Sequence, residues 1–240
     1  MLWGTKASPA AGESPLIPIR DENPTLRKPY LTIALMGLNV LVFLYQLGLS
    51  PQEEIIFLHQ FGVVPAWLTG LAPVVPPPEW FPRPLTLITY QFVHGGFWHL
   101  GGNMLYLWIF GNNIEDALGP VRFIAFYLLG GVLAALSQVL SGPGSMMPMV
   151  GASGAIAAVL GAYLALYPAA RVVVLIWFFF FVQFIRVPAL IVLGVWFLLQ
   201  VLGAGGPGVA WMAHIGGFVA GLLMIRYFLP RRPLRPPPVY

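Results

Sequence analysis

The sequence predicts an all-α membrane protein of six transmembrane helices, with a long first loop partly embedded in the bilayer. Three observations carry this. Of 240 residues, 58% are hydrophobic and 8% charged, where a soluble domain carries roughly 25% charged residues. The mean hydropathy is +0.81. At 1.5 Å rise per residue, a hydrocarbon core about 30 Å thick takes about 20 residues, and the apolar content allows about six such spans. A soluble enzyme, a disordered chain and a conventional nucleic-acid binder are excluded, because the charges are too few and the net +4 is not gathered into one stripe. The chain has no cysteine, so disulfides, thiolate metal sites and a cysteine nucleophile are excluded too.

The elements follow in order. Residues 1–29 form a polar segment without the apolar core of a signal peptide, so the first apolar run is expected to direct insertion. Glu13, Asp21 and Glu22 in that segment argue against an organellar transit peptide. The first span is 30–49. The loop 50–92 is rich in proline and holds Trp67, Trp80 and Phe81. Prolines break helices and aromatic rings prefer the interface, so it should lie on the membrane surface. Spans two, three and four are 93–112, 121–140 and 151–167, the last ending at Pro168. Residues 172–182 number 11, about 16 Å as a helix, too short to cross. Arg171 and Arg186 flank them, so an interfacial or re-entrant helix is expected. Span five is 187–202 and span six 209–229; residues 230–240 are a basic, proline-rich tail. With both termini inside, 11 of the 12 Lys and Arg residues fall on the inner side and only Arg83 outside, a strong positive-inside bias. The helical domain is thus 30–229.

Polar groups inside a span are costly and therefore informative. His94, His99 and Asn103 lie in the second span, Ser153 opens the fourth, and His214 is near the start of the sixth. By topology, spans four and six both begin at the outer face, so Ser153 and His214 sit at matched shallow depth. A serine and a histidine so placed are a candidate nucleophile and general base. Ser153 also begins a helix, where free N–H groups and the dipole favour an oxyanion. Gly151 and Gly154 leave room beside it. His99 and Asn103 are four residues apart and share a helical face, from which both can donate to an oxyanion. Gly217 and Gly221 share a face with His214 in a GxxxG spacing, and Ala157 and Gly161 do the same below Ser153, so the fourth and sixth helices can pack closely. None of the eight acids lies in a span near the outer face, which leaves a Ser–His dyad rather than a triad.

Each feature alone has a plainer reading. A small-residue run such as GASG is a common packing device. His59 in the loop reads as solvated, and His94 as a structural hydrogen-bonding group. His94, His99 and His214 do not follow the HExxH zinc pattern, so no metal and no cofactor are expected.

Taken together, HxxxxHxxxN in the second span, GxSG opening the fourth and AHxGG in the sixth resemble the rhomboid family of intramembrane serine proteases. The likeness runs from about residue 20 to 228 and includes the six spans and the embedded first loop. It implies a rhomboid-like bundle in which Ser153 is the nucleophile and His214 the base. His99, Asn103 and the Ser153 N–H would form the oxyanion hole, and Glu115 would be a structural glutamate at the inner end of the second span. Two departures stand out. Ala157 occupies the position where some members have a tyrosine stacked on the histidine, and the Trp–Arg pair of the first loop is split here into Trp80 and Arg83.

The expected activity is cleavage of peptide bonds in or near transmembrane segments of membrane proteins. The expected partners are such substrates and the lipid bilayer, with no nucleic acid. Trp196 and Phe197, midway along the interrupted fifth span, are expected to gate substrate access against the second. The alternatives are an inactive rhomboid-like binder of membrane clients and a transporter. Inactive relatives generally lack the serine or histidine, both kept here, and a transporter predicts an inverted repeat and mid-membrane charges that this sequence lacks. The expected location is a bacterial plasma membrane with both termini cytoplasmic.

Overall fold

A computed structural model describes residues 16–73, 81–178, 181–203 and 208–230. Residues 1–15 of the polar N-terminal segment, Trp80 and the tail beyond Pro230 lie outside the described residues. The chain order is β1 (Leu16–Asp21), α1 (Tyr30–Leu47), α2 (Pro51–Phe61), α3 (Pro65–Leu68), α4 (Thr86–Thr89), α5 (Phe97–Tyr106), α6 (Asn112–Leu118), α7 (Pro120–Ser141), α8 (Ser153–Leu166), β2 (Arg171–Phe178), β3 (Phe181–Pro188), α9 (Ala189–Val201) and α10 (Trp211–Phe228). A π-helical turn, Leu107–Gly111, joins α5 to α6.

Three helices, α1, α7 and α10, are long and apolar enough to cross a bilayer. The other expected spans fall short by that measure. The second is assembled from α5, the π turn and α6, while α8 and α9 are apolar helices of 14 and 13 residues, each about 20 Å long. Among the described residues, length and composition therefore support three of the six expected spans.

The described core is built around α8. Every residue from Gly154 to Tyr163 is buried, as expected of a helix that is apolar on all sides. Its small residues let neighbouring backbones close in. A Cβ on Gly154 would stand 2.7 Å from Ala134 Cβ of α7. On the α10 side, a Cβ on Gly161 would meet the backbone of Phe218, and one on Gly221 would meet the backbone of Ala158. Ala157 lies 3.2 Å from where a Gly217 Cβ would be, so no aromatic ring fits between these helices at that level.

The all-α expectation is corrected at 172–182. This stretch belongs to a β-hairpin, and β1 adds a third strand in the order β1-β2-β3. Both pairings are antiparallel, with Ile17 opposite Leu175 and Val174 opposite Ile185. The β-branched run Val172–Val173–Val174–Ile176 suits a pleated surface better than an interfacial helix. From Val172 to Ile176 the central strand β2 is paired on both edges, which gives its carbonyls and amides partners. Pro18 costs nothing on the edge strand, and the pairing is bulged between Pro18 and Arg20. The sheet brings the N-terminal segment and the α8–α9 connection to the same end of the helices.

Carboxylates from α6 secure that end. α1 has no side-chain N-cap of its own. Its free amides are met by Glu115, which accepts from Leu31 N–H (3.0 Å), Thr32 N–H (2.8 Å) and the Thr32 hydroxyl (2.7 Å). Asp116 accepts from Leu26 and Arg27 N–H, each at 3.1 Å. Negative charge at a helix N-terminus is also favoured by the dipole. Asp21 accepts from the Tyr163 hydroxyl (2.7 Å) and the Asn113 amide (2.8 Å).

The long first loop is ordered where described. Ser50 and Glu53 form a capping box at the start of α2. Val63 and Met149 exchange backbone hydrogen bonds of 2.9 and 2.8 Å, tying this loop to the segment before α8. The Arg83 guanidinium lies over the Trp67 ring, 4.9 Å from its centroid, so a tryptophan–arginine contact is made with Trp67. His59 bonds Ile55 O through Nδ1 at 2.8 Å and packs on Trp67 at 5.7 Å, and is thus less free than a solvated side chain.

Two outcomes follow from this packing. Gly221→Val forces a side chain onto the Ala158 backbone and should cost about 3 kcal/mol, the upper end of overpacking penalties. Gly37→Ala, with open space around the site, should be neutral; equal thermal midpoints for the two variants in detergent would refute the close α8–α10 contact. The second outcome concerns pH. Burial raises the Asp21 pKa from 3.8 to about 6, against the opposing hydrogen bonds from Tyr163, its own and Asn23 backbone, and Asn113. The folded state therefore binds a proton more tightly than the unfolded chain. The Asp21 contribution should favour folding below about pH 4 and weaken as pH rises to about 6, by on the order of 2 kcal/mol. Asp21→Asn keeps an acceptor for Tyr163 and should flatten that part of the stability profile between pH 4 and 7; identical profiles for variant and wild type would contradict it.

Candidate active site

The amides and ring nitrogens at the other end of α8 converge on one cavity of about 570 Å³. Ser153 is the first residue of α8, and His214 lies in the first turn of α10. The Ser153 hydroxyl and His214 Nε2 are 2.7 Å apart. The α8–α10 approach sets this distance, since both residues sit one turn from the glycine contacts between the helices.

Gly151 shapes the opposite wall. Its φ of +122° lies in the region that side chains avoid, and a Cβ there would stand 2.6 Å from His99 Nε2. The Gly151 N–H donates to Tyr90 O at 2.9 Å, and the Tyr90 hydroxyl donates to Gly131 O at 2.6 Å. The approach to Ser153 is thereby anchored to both the first loop and α7. His99 Nδ1 accepts from Gly95 N–H at 3.4 Å, which leaves Nε2 as the protonated nitrogen, beside Gly151. Asn103, one turn along α5, is buried, and its Nδ2 donates to no described residue. Two donors thus face the cavity next to Ser153.

His94 is fully buried and packs edge-on to His99 at 5.2 Å. Its backbone is clamped by Gln46, which donates to His94 O at 2.8 Å and accepts from His94 N–H at 3.1 Å. Trp196 lines the cavity and lies 5.9 Å from the His214 ring. Phe197 stacks on Phe218 of α10 at 4.7 Å, so it turns towards the sixth span rather than the second. A further, apolar cavity of about 230 Å³ lies where α9 meets the sheet, bounded by Pro18, Val174 and Ile185 on one side and by Val195 and Trp196 on the other, with Tyr106 at the end of α5 beside it.

Sequence reasoning missed two glutamines here. Gln200, on the last turn of α9, places Oε1 2.7 Å from His214 Nδ1. The signal was present, since a lone amide in an apolar span is itself unusual. Gln138 was missed as well. It accepts from Ala213 N–H at 3.3 Å and so meets a free amide at the start of α10.

Residues 82–231 match the family model of the rhomboid domain. The chain belongs to the rhomboid family. It is 30% identical to Rhomboid protein 1, mitochondrial, of Saccharomyces cerevisiae over 206 residues, covering 80% of this chain and 51% of that protein. It is 32% identical to Presenilin-associated rhomboid-like protein A, mitochondrial, of Danio rerio over 60% of this chain and 38% of the relative. It is 31% identical to RHOMBOID-like protein 5 of Arabidopsis thaliana over 58% of this chain and 42% of the relative. The chain therefore spans about half the length, or less, of these curated relatives. The yeast and zebrafish rhomboids are mitochondrial by name, as is the human relative. That finding overturns the expected bacterial plasma membrane.

Proposed function

We propose that this rhomboid is a serine endopeptidase that hydrolyses peptide bonds in or near transmembrane segments of other membrane proteins. The observation that carries the reading is the 2.7 Å contact between Ser153 Oγ and His214 Nε2 inside a cavity flanked by His99 and Asn103. His214 Nε2 takes the hydroxyl proton as Ser153 Oγ attacks the scissile carbonyl. The oxyanion receives hydrogen bonds from His99 Nε2, Asn103 Nδ2 and the Ser153 N–H at the head of α8. His214 then gives its proton to the leaving amine. A water, deprotonated by the same nitrogen, releases the acyl group from Ser153. Among the described residues no carboxylate hydrogen-bonds His214, so the reacting pair is a dyad. A substrate helix would reach the cavity past Tyr106 and Trp196, which line both it and the apolar cavity beside α9. The inactive client-binding reading would leave the serine–histidine contact without a use.

Cleavage of a generic transmembrane substrate tests the proposal. Ser153→Ala and His214→Ala should each abolish it while leaving the protein folded, and the double variant should be no worse than either single one, because the pair acts as a unit. Substantial turnover by either single variant would sink the dyad. His99→Ala and Asn103→Ala should each lower the rate by roughly 10²–10³, the usual loss of one oxyanion donor. A rate within twofold of wild type for both would remove them from the oxyanion hole.

A further inference from the structure

We infer that Gln200 is a positioning residue that selects the Nδ1–H tautomer of His214 and so presents a bare Nε2 to Ser153. The inference rests on the serine-protease reading above. A neutral imidazole carries its proton on one nitrogen or the other, and a general base towards Ser153 needs it on Nδ1. The direction of the Gln200 amide decides which form is held. Its Nε2 donates to Trp196 O, one turn back on the same helix, at 3.1 Å. That bond aims Oε1 at His214, where it stands 2.7 Å from Nδ1. A carbonyl oxygen can only accept, so Nδ1 must be the donor. Nε2 is then the acceptor for the Ser153 hydroxyl at 2.7 Å.

The other neighbours of the ring cannot make this choice. Trp196 lies 5.9 Å from it at a 39° tilt, and Trp211 meets it edge-on at 6.1 Å. Both restrict the plane of the imidazole without touching its protons. α8 supplies no stacking ring, because Ala157 and Gly217 bring the helices too close for one. Gln200 is itself buried, at 8% exposure, so its amide has little water to bond instead. In a low-dielectric site, removing the acceptor leaves Nδ1–H unpaired and favours the wrong tautomer.

The test uses the full chain in detergent with Gln200→Leu and Gln200→Glu. The ring nitrogens of ¹⁵N-histidine-labelled protein are read by NMR, with His214→Ala to assign the signal. Wild type should show a protonated Nδ1 and a bare Nε2 at His214, and Gln200→Leu should lose that signature. For a transmembrane substrate, Gln200→Leu should lower kcat by roughly 10²-fold, the scale of a slightly misplaced catalytic group, with KM within twofold. Gln200→Glu, which keeps an acceptor at the same atom, should restore most of kcat. A residue needed only for packing would be rescued no better by Glu than by Leu. Wild type with the proton on Nε2, or Gln200→Leu with unchanged kcat and tautomer, would overturn the inference. If Gln200→Leu does not fold, the wild-type tautomer and the Gln200→Glu rate still decide it. Failure of the underlying reading shows separately: wild type and Ser153→Ala would then be alike in cleavage and in labelling by a fluorophosphonate, while the tautomer measurement would still judge the Gln200 contact.

Discussion

The rest of the structure depends on how closely α8 and α10 approach. Gly161 and Gly221 let each helix rest on the backbone of the other, at Phe218 and Ala158. In lipid there is little hydrophobic gain from bringing two apolar helices together, so such contacts rely on packing over small residues. The separation is set by main chain, which cannot change rotamer. Ser153 and His214 therefore inherit a fixed spacing from the helices that carry them. The same closeness excludes a large side chain at Ala157, so whatever holds the histidine must come from elsewhere, and α9 provides it.

The surroundings of the cavity differ in stiffness by construction. On one side the first loop, the strand-like segment at Met149 and the middle of α7 are joined by backbone and tyrosine hydrogen bonds through Val63, Tyr90 and Gly131. On the other side, α9 borders an apolar cavity shared with the sheet and Tyr106. Hydrogen bonds are directional and packing against a void is not, so movement should concentrate on the α9 side.

Much of the site was legible because membrane insertion makes polar residues conspicuous. Ser153, His99, Asn103 and His214 stood out by type, and span direction alone placed Ser153 and His214 at one depth. Glu115 was legible as structural, and its bonds to Leu31 and Thr32 give the reason. Gln200 was passed over because an uncharged amide near a span end looks like a boundary residue. Its role exists only once α9 is set against α10. The sheet was hidden for a different reason. Length correctly excluded 172–182 as a span, but strand pairing depends on a partner, and β1 lies far upstream in a segment read as merely polar. The second span was expected at 93–112, where the helical stretch runs 97–118 through a π turn that follows from packing and leaves no local pattern.

The pairing of β1 with β2 has a consequence for how the protein is made. Leu16 leaves the ribosome about 160 residues ahead of its partner Ile176. At about 5–20 residues per second, the first strand waits roughly ten seconds or more with an open edge. Four of the expected helical segments are synthesised in that interval. The inner end of the molecule therefore closes late, and a membrane-insertion factor or chaperone that shields a lone strand has its window before α9 is made. Contacts so distant in sequence also slow folding in general, which places the last ordering step at the sheet rather than among the helices.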